Sequence, residues 1–87
     1  MHRWTIKDDI IALYLYKYGN KSTKCTYKQI AAFIGTSVGS LQMRKKQYKY
    51  LDGKGGLYNT SIDMKKVYNK FKNIDFEKHK EIVLSIL

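Results

Sequence analysis

Proline is absent from the 87 residues, cysteine occurs once, and acidic side chains number only seven against seventeen Lys and Arg. A lone Cys25 forms no internal disulfide, which excludes a secreted domain stapled by its own bridges. The longest apolar run is the seven residues Ile10–Tyr16, far short of the roughly 20 needed to cross a bilayer. Residues 1–4 lead straight into amphipathic sequence without the apolar segment of a secretory signal. A cytoplasmic protein with no membrane partner is therefore expected. There is no internal repeat and no low-complexity tract.

A chain this short holds one domain and one core, and buries only roughly 60–65% of its unfolded surface. That excludes a second domain and a large α/β enzyme scaffold. A hydrophobic fraction of 44% argues against wholesale disorder. The net charge of +10 is the unusual feature, and so much positive charge on a small body favours a polyanionic partner. Fifteen of the cations are Lys, and Ile and Tyr are abundant, which fits an AT-rich coding bias. Such a bias does not explain the scarcity of Asp and Glu. Between Ile10 and Leu51 there is no acidic residue, yet Lys17, Lys21, Lys24, Lys28, Arg44, Lys45, Lys46 and Lys49 fall there. The rest of the chain is close to balanced.

Local signals predict a mainly α fold of four to five helices over residues 1–87, with a tri-helical core over about 5–51 and C-terminal helices over about 61–87. Thr5-Ile6-Lys7-Asp8 is a Ser/Thr-x-x-acid helix start, and Asp8 and Asp9 both sit in the first turn, where the helix dipole favours carboxylates. Ile6, Ile10, Leu13 and a second stripe, Ile11, Tyr14, Leu15, Tyr18, make this first helix apolar over most of its girth, hence central. A strand over Ile10–Tyr18 is the alternative reading. Gly19-Asn20 ends the helix. Thr26 with Gln29 caps a short helix, Tyr27–Ile34, with Ile30, Ala31, Phe33 and Ile34 inward. Gly35 stops it. Ser37 caps a third helix from Val38 towards Tyr50, with Leu41, Tyr48 and Leu51 inward. Asp52-Gly53-Lys54-Gly55-Gly56 is a turn, with room for a short β-hairpin wing over 48–58. Thr60–Asp63 starts a fourth helix carrying Met64, Val67, Tyr68 and Phe71. Asn73 or Asp75 caps a last one carrying Phe76, Ile82, Val83, Ile86 and Leu87.

Residues 29–41, with Ala31, Gly35 and Leu41 at the points where two crossing helices need a small residue, a left-handed turn and an inward aliphatic, resemble the helix-turn-helix of DNA-binding proteins. The resemblance covers about 25 residues. It departs at Arg44, where the family usually carries an apolar side chain. A looser similarity links Trp4-Thr5, the run Met43-Arg44-x-x-x-Tyr48-x-Tyr50-Leu51-Asp52 and Gly55-Gly56-Leu57 to small DNA-reading modules associated with restriction endonucleases. The resemblance implies binding of double-stranded DNA, with the recognition helix at about 38–50.

On that helix Ser37, Val38, Gly39, Ser40, Gln42, Met43 and Lys46 are the expected base-reading residues. Gln42 can bond adenine bidentately, and Val38 and Met43 can touch thymine methyls. Thr26, Tyr27, Lys28, Arg44, Lys45, Lys49 and Lys54 are the expected phosphate contacts, with the amides at the start of the Thr26 helix contributing. A homodimer through the C-terminal helix is expected from its apolar surplus. The alternatives are a phage or mobile-element inhibitor that binds a host protein, and an RNA-binding module. No enzyme is expected and no cofactor. Asp8 and Asp9 are adjacent on a helix and do not face each other. His2, His79 and Cys25 show no metal-ligand spacing, and a Cys25–His79 nucleophile pair would lack an orienting acid. The glycines of residues 53–56 lack phosphate-loop spacing.

Overall fold

A computed structural model describes residues 2–87, and among these all regular structure is helical. The five α-helices are α1 (Ile6–Tyr18), α2 (Tyr27–Ile34), α3 (Val38–Leu51), α4 (Ile62–Phe71) and α5 (Phe76–Ile86), with one 3₁₀ turn at Lys21–Thr23. Each α-helix begins where a short polar side chain accepts a backbone N–H: Thr5, Thr26, Ser37, Ser61 and Asp75 in turn. Thr5 and Thr26 form full capping boxes with Asp8 and Gln29. Gly35 ends α2 with φ 94°, in the left-handed region where a side chain is strained.

Helix α1 is the axis. Its residues Ile10–Leu15 are all buried, so every side of the helix has a neighbour. α3, α4 and α5 all pack on it, while α2 packs chiefly on α3. Helix α2 contributes Ile30, Ala31 and Ile34 to the core. Phe33 is not with them: it is 52% exposed. At 100° per residue, Ile30, Ala31 and Ile34 span one sector, and Phe33 falls outside it.

The 48–58 hairpin does not form. Tyr48 and Leu51 stay in α3, and Tyr48 is fully buried, so the segment is committed to helix. The chain then leaves through Gly53 at φ 74°, whose N–H donates to the Tyr50 carbonyl at 2.9 Å, and runs as loop to Ser61.

Asp8 and Asp9 both lie in the first turn of α1, as the dipole argument expects, but their side chains go different ways. Asp8 accepts from the Thr5 N–H at 3.1 Å and pairs with His2 Nε2 at 3.0 Å. Asp9 is fully buried and holds Arg44 of α3 through two hydrogen bonds of 2.8 and 3.0 Å. The Trp4 ring covers the guanidinium at 4.6 Å. The inward charge on α3 is thus matched by an inward charge on α1, which accounts for Arg44 where an apolar residue was expected. Tyr48 is buried in the same region, and burial followed by the Asp9 charge pushes its phenol up.

Helix α5 returns onto α1. Val83 and His79 are buried, and Phe76, Ile82, Ile86 and Leu87 pack against the core. Of the apolar residues from which a dimer was expected, Val83 is buried, Phe76, Ile82 and Ile86 are half-buried against the core, and their neighbour Leu84 is exposed. His79 lies across Tyr14 and Phe71, its ring centroid 5.3 and 5.2 Å from theirs. Its Nε2 is 3.0 Å from the Ile10 carbonyl, which can only accept, so Nε2 carries the proton. Its Nδ1 then accepts from Lys17 Nζ at 3.4 Å. Lys17 also donates to the carbonyls of Phe71 (2.8 Å) and Ile74 (3.3 Å), closing the C-terminal end of α4. Burial holds the imidazole down to about 4, so it is neutral near pH 7.

Candidate nucleic-acid interface

Helices α2 and α3 are joined by the three residues Gly35–Ser37. The N–H groups of Gly35 and Thr36 both donate to the Ala31 carbonyl at 2.9 Å, which closes α2 and starts the reversal. Ala31 is buried and small at this junction. Ser37 Oγ accepts from the Ser40 N–H at 3.0 Å and the Ser37 carbonyl from the Leu41 N–H. The Ser37 side chain therefore starts α3.

One side of α3 is fixed to α1 through Leu41, Arg44 and Tyr48. Its first two turns present the rest. Val38 is 38% and Met43 45% exposed, and Gly39 and Lys46 are open to solvent. Ser40 and Gln42 are half-buried. Gln42 Oε1 accepts from Lys45 Nζ at 3.2 Å, and the same ammonium donates to the Tyr27 hydroxyl at 2.9 Å and lies 4.4 Å from that ring. Gln42, Lys45 and Tyr27 thus form one tether between α2 and α3.

Gly39 has no packing role. A Cβ there would meet only Ser37 Oγ, at an ordinary 3.9 Å, and the residue is helical. Glycine inside a helix costs about 1 kcal/mol relative to alanine. Its absence of side chain leaves the α3 backbone open to close approach at the end of the helix where N–H groups point outward.

Of the expected phosphate contacts, Lys28 and Lys49 are exposed and, among the described residues, their side chains make no ion pair. Thr26 and Gln29 bond each other's N–H, leaving the Tyr27 and Lys28 amides as the unspent donors of the first turn. Lys45 is tethered as described. Arg44 is turned inward: two of its five N–H donors are engaged by buried Asp9 and its side chain is 14% exposed, which leaves little of the guanidinium open to a phosphate. Lys17, counted in the acid-free window, is likewise turned inward. Lys54 leans on Asp52 at 3.5 Å on a different side of the loop. There Asp52 accepts from the Tyr16 and Tyr68 hydroxyls, both at 2.7 Å, in a cleft of about 340 Å³. Those two bonds hold the Asp52 carboxyl below its usual range, while burial first and then Asp52 push Tyr16 up to about 12.

Phe33 is the surface residue that sequence reasoning missed. It sits on α2 one turn after Gln29, beside the exposed Ala32. The sequence carried no signal for this, because at 100° per residue Phe33 lies only about 60° from Ile30, within the width of an ordinary apolar face.

Among the described residues no three His, Cys, Asp or Glu side chains gather as metal ligands, and no helix is long and apolar enough to cross a membrane. Both ring nitrogens of His79 are engaged, by Ile10 and Lys17, and none is directed to Cys25. Comparison with protein-family models, with curated proteins and with solved structures gave no match.

Proposed function

We infer that the protein binds double-stranded DNA sequence-selectively, with α2 and α3 acting as a helix-turn-helix and α3 as the recognition helix. It would serve as a small regulator or as the DNA-reading part of a restriction or mobile-element system, with no chemistry of its own. One observation carries this reading. The exposed side of α3 bears Val38, Gly39, Met43, Lys46 and Lys49 without a carboxylate, while its opposite side is clamped to the central helix. A rigidly held helix with cations flanking small and apolar tips suits a major groove, where lysines meet phosphates and short side chains meet base edges.

The test is a selection from random duplexes at two salt concentrations. A recovered consensus, with affinity falling steeply as salt rises, supports the reading. Failure to bind any duplex at low salt overturns it. Competition by structured RNA distinguishes the RNA alternative.

A second reading has its own support. Phe33, Val38 and Met43 are exposed apolar side chains on these same two helices. A protein-binding inhibitor would use them as anchors, and would form a stable complex with one host protein without duplex affinity.

A further inference from the structure

Lys46 and Lys49 stand three residues apart on α3, hence on one face, and both are exposed. Past the end of α3 the chain turns through Gly53, Gly55 and Gly56, with φ of 74°, 135° and 80°. Together Lys46, Lys49, Gly55, Gly56 and Tyr58 line a groove of about 200 Å³. No carboxylate lines it, and among the described residues neither lysine makes an ion pair.

The loop is held in place. Gln47 Nε2 donates to the Asn59 carbonyl at 3.3 Å, and the Tyr58 ring stands edge-on to Tyr50 at 6.5 Å. The N–H groups of Gly53 and Lys54 are spent on the last carbonyls of α3, Tyr50 and Lys49. Those of Gly55 and Gly56 find no acceptor among the described residues. Gly56 is also sterically required, since a Cβ there would overlap the Tyr58 ring.

Two unpaired ammonium groups, two unused N–H donors on left-handed backbone and no acid make a site for an oxyanion. We propose that this groove seats one backbone phosphate of the bound duplex, next to the base-reading face of α3. The proposal rests on the DNA reading above, because Lys46 and Lys49 carry the exposed face of α3 directly into the groove. It also moves the loop's contribution from Lys54, which leans on Asp52, to Gly55 and Gly56.

The experiment has two arms, each run on the parent, Gly56→Ala, Lys49→Ala and, as a distant control, Lys65→Ala on α4. The first arm titrates inorganic phosphate and follows the amide resonances of residues 55 and 56. The second measures duplex affinity against salt. Phosphate is expected to shift both glycine amides in the parent, and the residue 55 amide far less in Gly56→Ala. Gly56→Ala removes no charge, yet it should lower the slope of log K against log salt by about 0.9, the value of one lost phosphate. Lys49→Ala should do the same and Lys65→Ala should not. Gly56→Ala must push the Tyr58 ring aside and strain the backbone at φ 80°, so it should melt somewhat below the parent; Lys49→Ala, which leaves the backbone untouched, carries the test if that variant does not fold. Amides that ignore phosphate, or a slope unchanged in both groove variants, overturn the seat. Phosphate-responsive glycines in a protein that binds no duplex would uphold the anion site and overturn the duplex as its source.

Discussion

Arg44, midway along α3, grips Asp9 of α1 through Nε to Oδ1 at 2.8 Å and Nη2 to Oδ2 at 3.0 Å. The carboxylate side chain is 1% exposed. The pair sets the rotation of α3 about its own axis, because one fork can meet one carboxylate in only one orientation. What α3 presents to solvent follows from that orientation.

Removing one partner strands a buried charge. Arg44→Ala should cost about 3–5 kcal/mol, against a total stability of roughly 5–15 kcal/mol for a domain. Arg44→Lys should recover little, since a point charge cannot form the fork. Replacing both, as Asp9→Leu with Arg44→Met, should lie much nearer the parent. Urea unfolding checks all three, and strictly additive losses in the double variant would show that the two residues are not coupled.

His79 makes stability depend on pH. Its folded value of about 4 lies below the ordinary 6.5, so between these pH values the unfolded chain binds more protons than the folded one. The contribution is complete above pH 6.5, is lost as pH falls towards 4, and is bounded by about 3 kcal/mol. Melting temperatures at pH 7 and pH 5 should differ in the parent, and the difference should shrink in His79→Gln. An equal pH dependence in both would remove His79 as its source.

Gly39 separates stability from function. Gly39→Ala should stabilise the fold by up to about 1 kcal/mol, because the helix gains propensity and nothing clashes. The added methyl should at the same time weaken duplex binding by blocking close approach. Thermal melts and binding isotherms on the same preparation test both halves. Unaltered affinity would take the first turn of α3 out of the interface.

Gln42 and Lys45 are bonded to each other, and their variants should differ in kind. Gln42→Ala should relax preference at one base pair by roughly 1–3 kcal/mol while leaving the salt slope nearly intact. Lys45→Ala should flatten the slope by about 0.9 and also disturb the Gln42 preference, since it frees Oε1. A double-mutant cycle read on the selected site and on a scrambled duplex measures the coupling. A sequence-indifferent loss at Gln42 would assign it to the backbone instead.

The helical reading was legible because its signals are local. Thr5 with Asp8, Thr26 with Gln29, and Ser37 before Val38 each declare a helix start within four residues, and Gly35 declares a stop. The central place of α1 was legible too, because apolar residues on every side of one helix require neighbours on every side. Lys28, Lys46 and Lys49 were open to prediction as surface cations by the same logic.

What the sequence could not supply were pairings across distance. Arg44 at an inward position demands a carboxylate, but seven were on offer, and Asp9 had a sufficient local explanation in the helix dipole. Asp9 and Arg44 are 35 residues apart, Lys17 and Phe71 are 54 apart, and His79 and Ile10 are 69 apart. Only the packing of α3, α4 and α5 around α1 brings them together. Burial then decides their chemistry, since a charge or a ring nitrogen removed from water must find its partner inside. Composition and short-range spacing determined that this chain is helical, basic and centred on its first helix. Tertiary structure decided which cations are free to meet an anion, and it withdrew Arg44 and Lys17 while leaving Lys46 and Lys49 beside the glycines of the following loop.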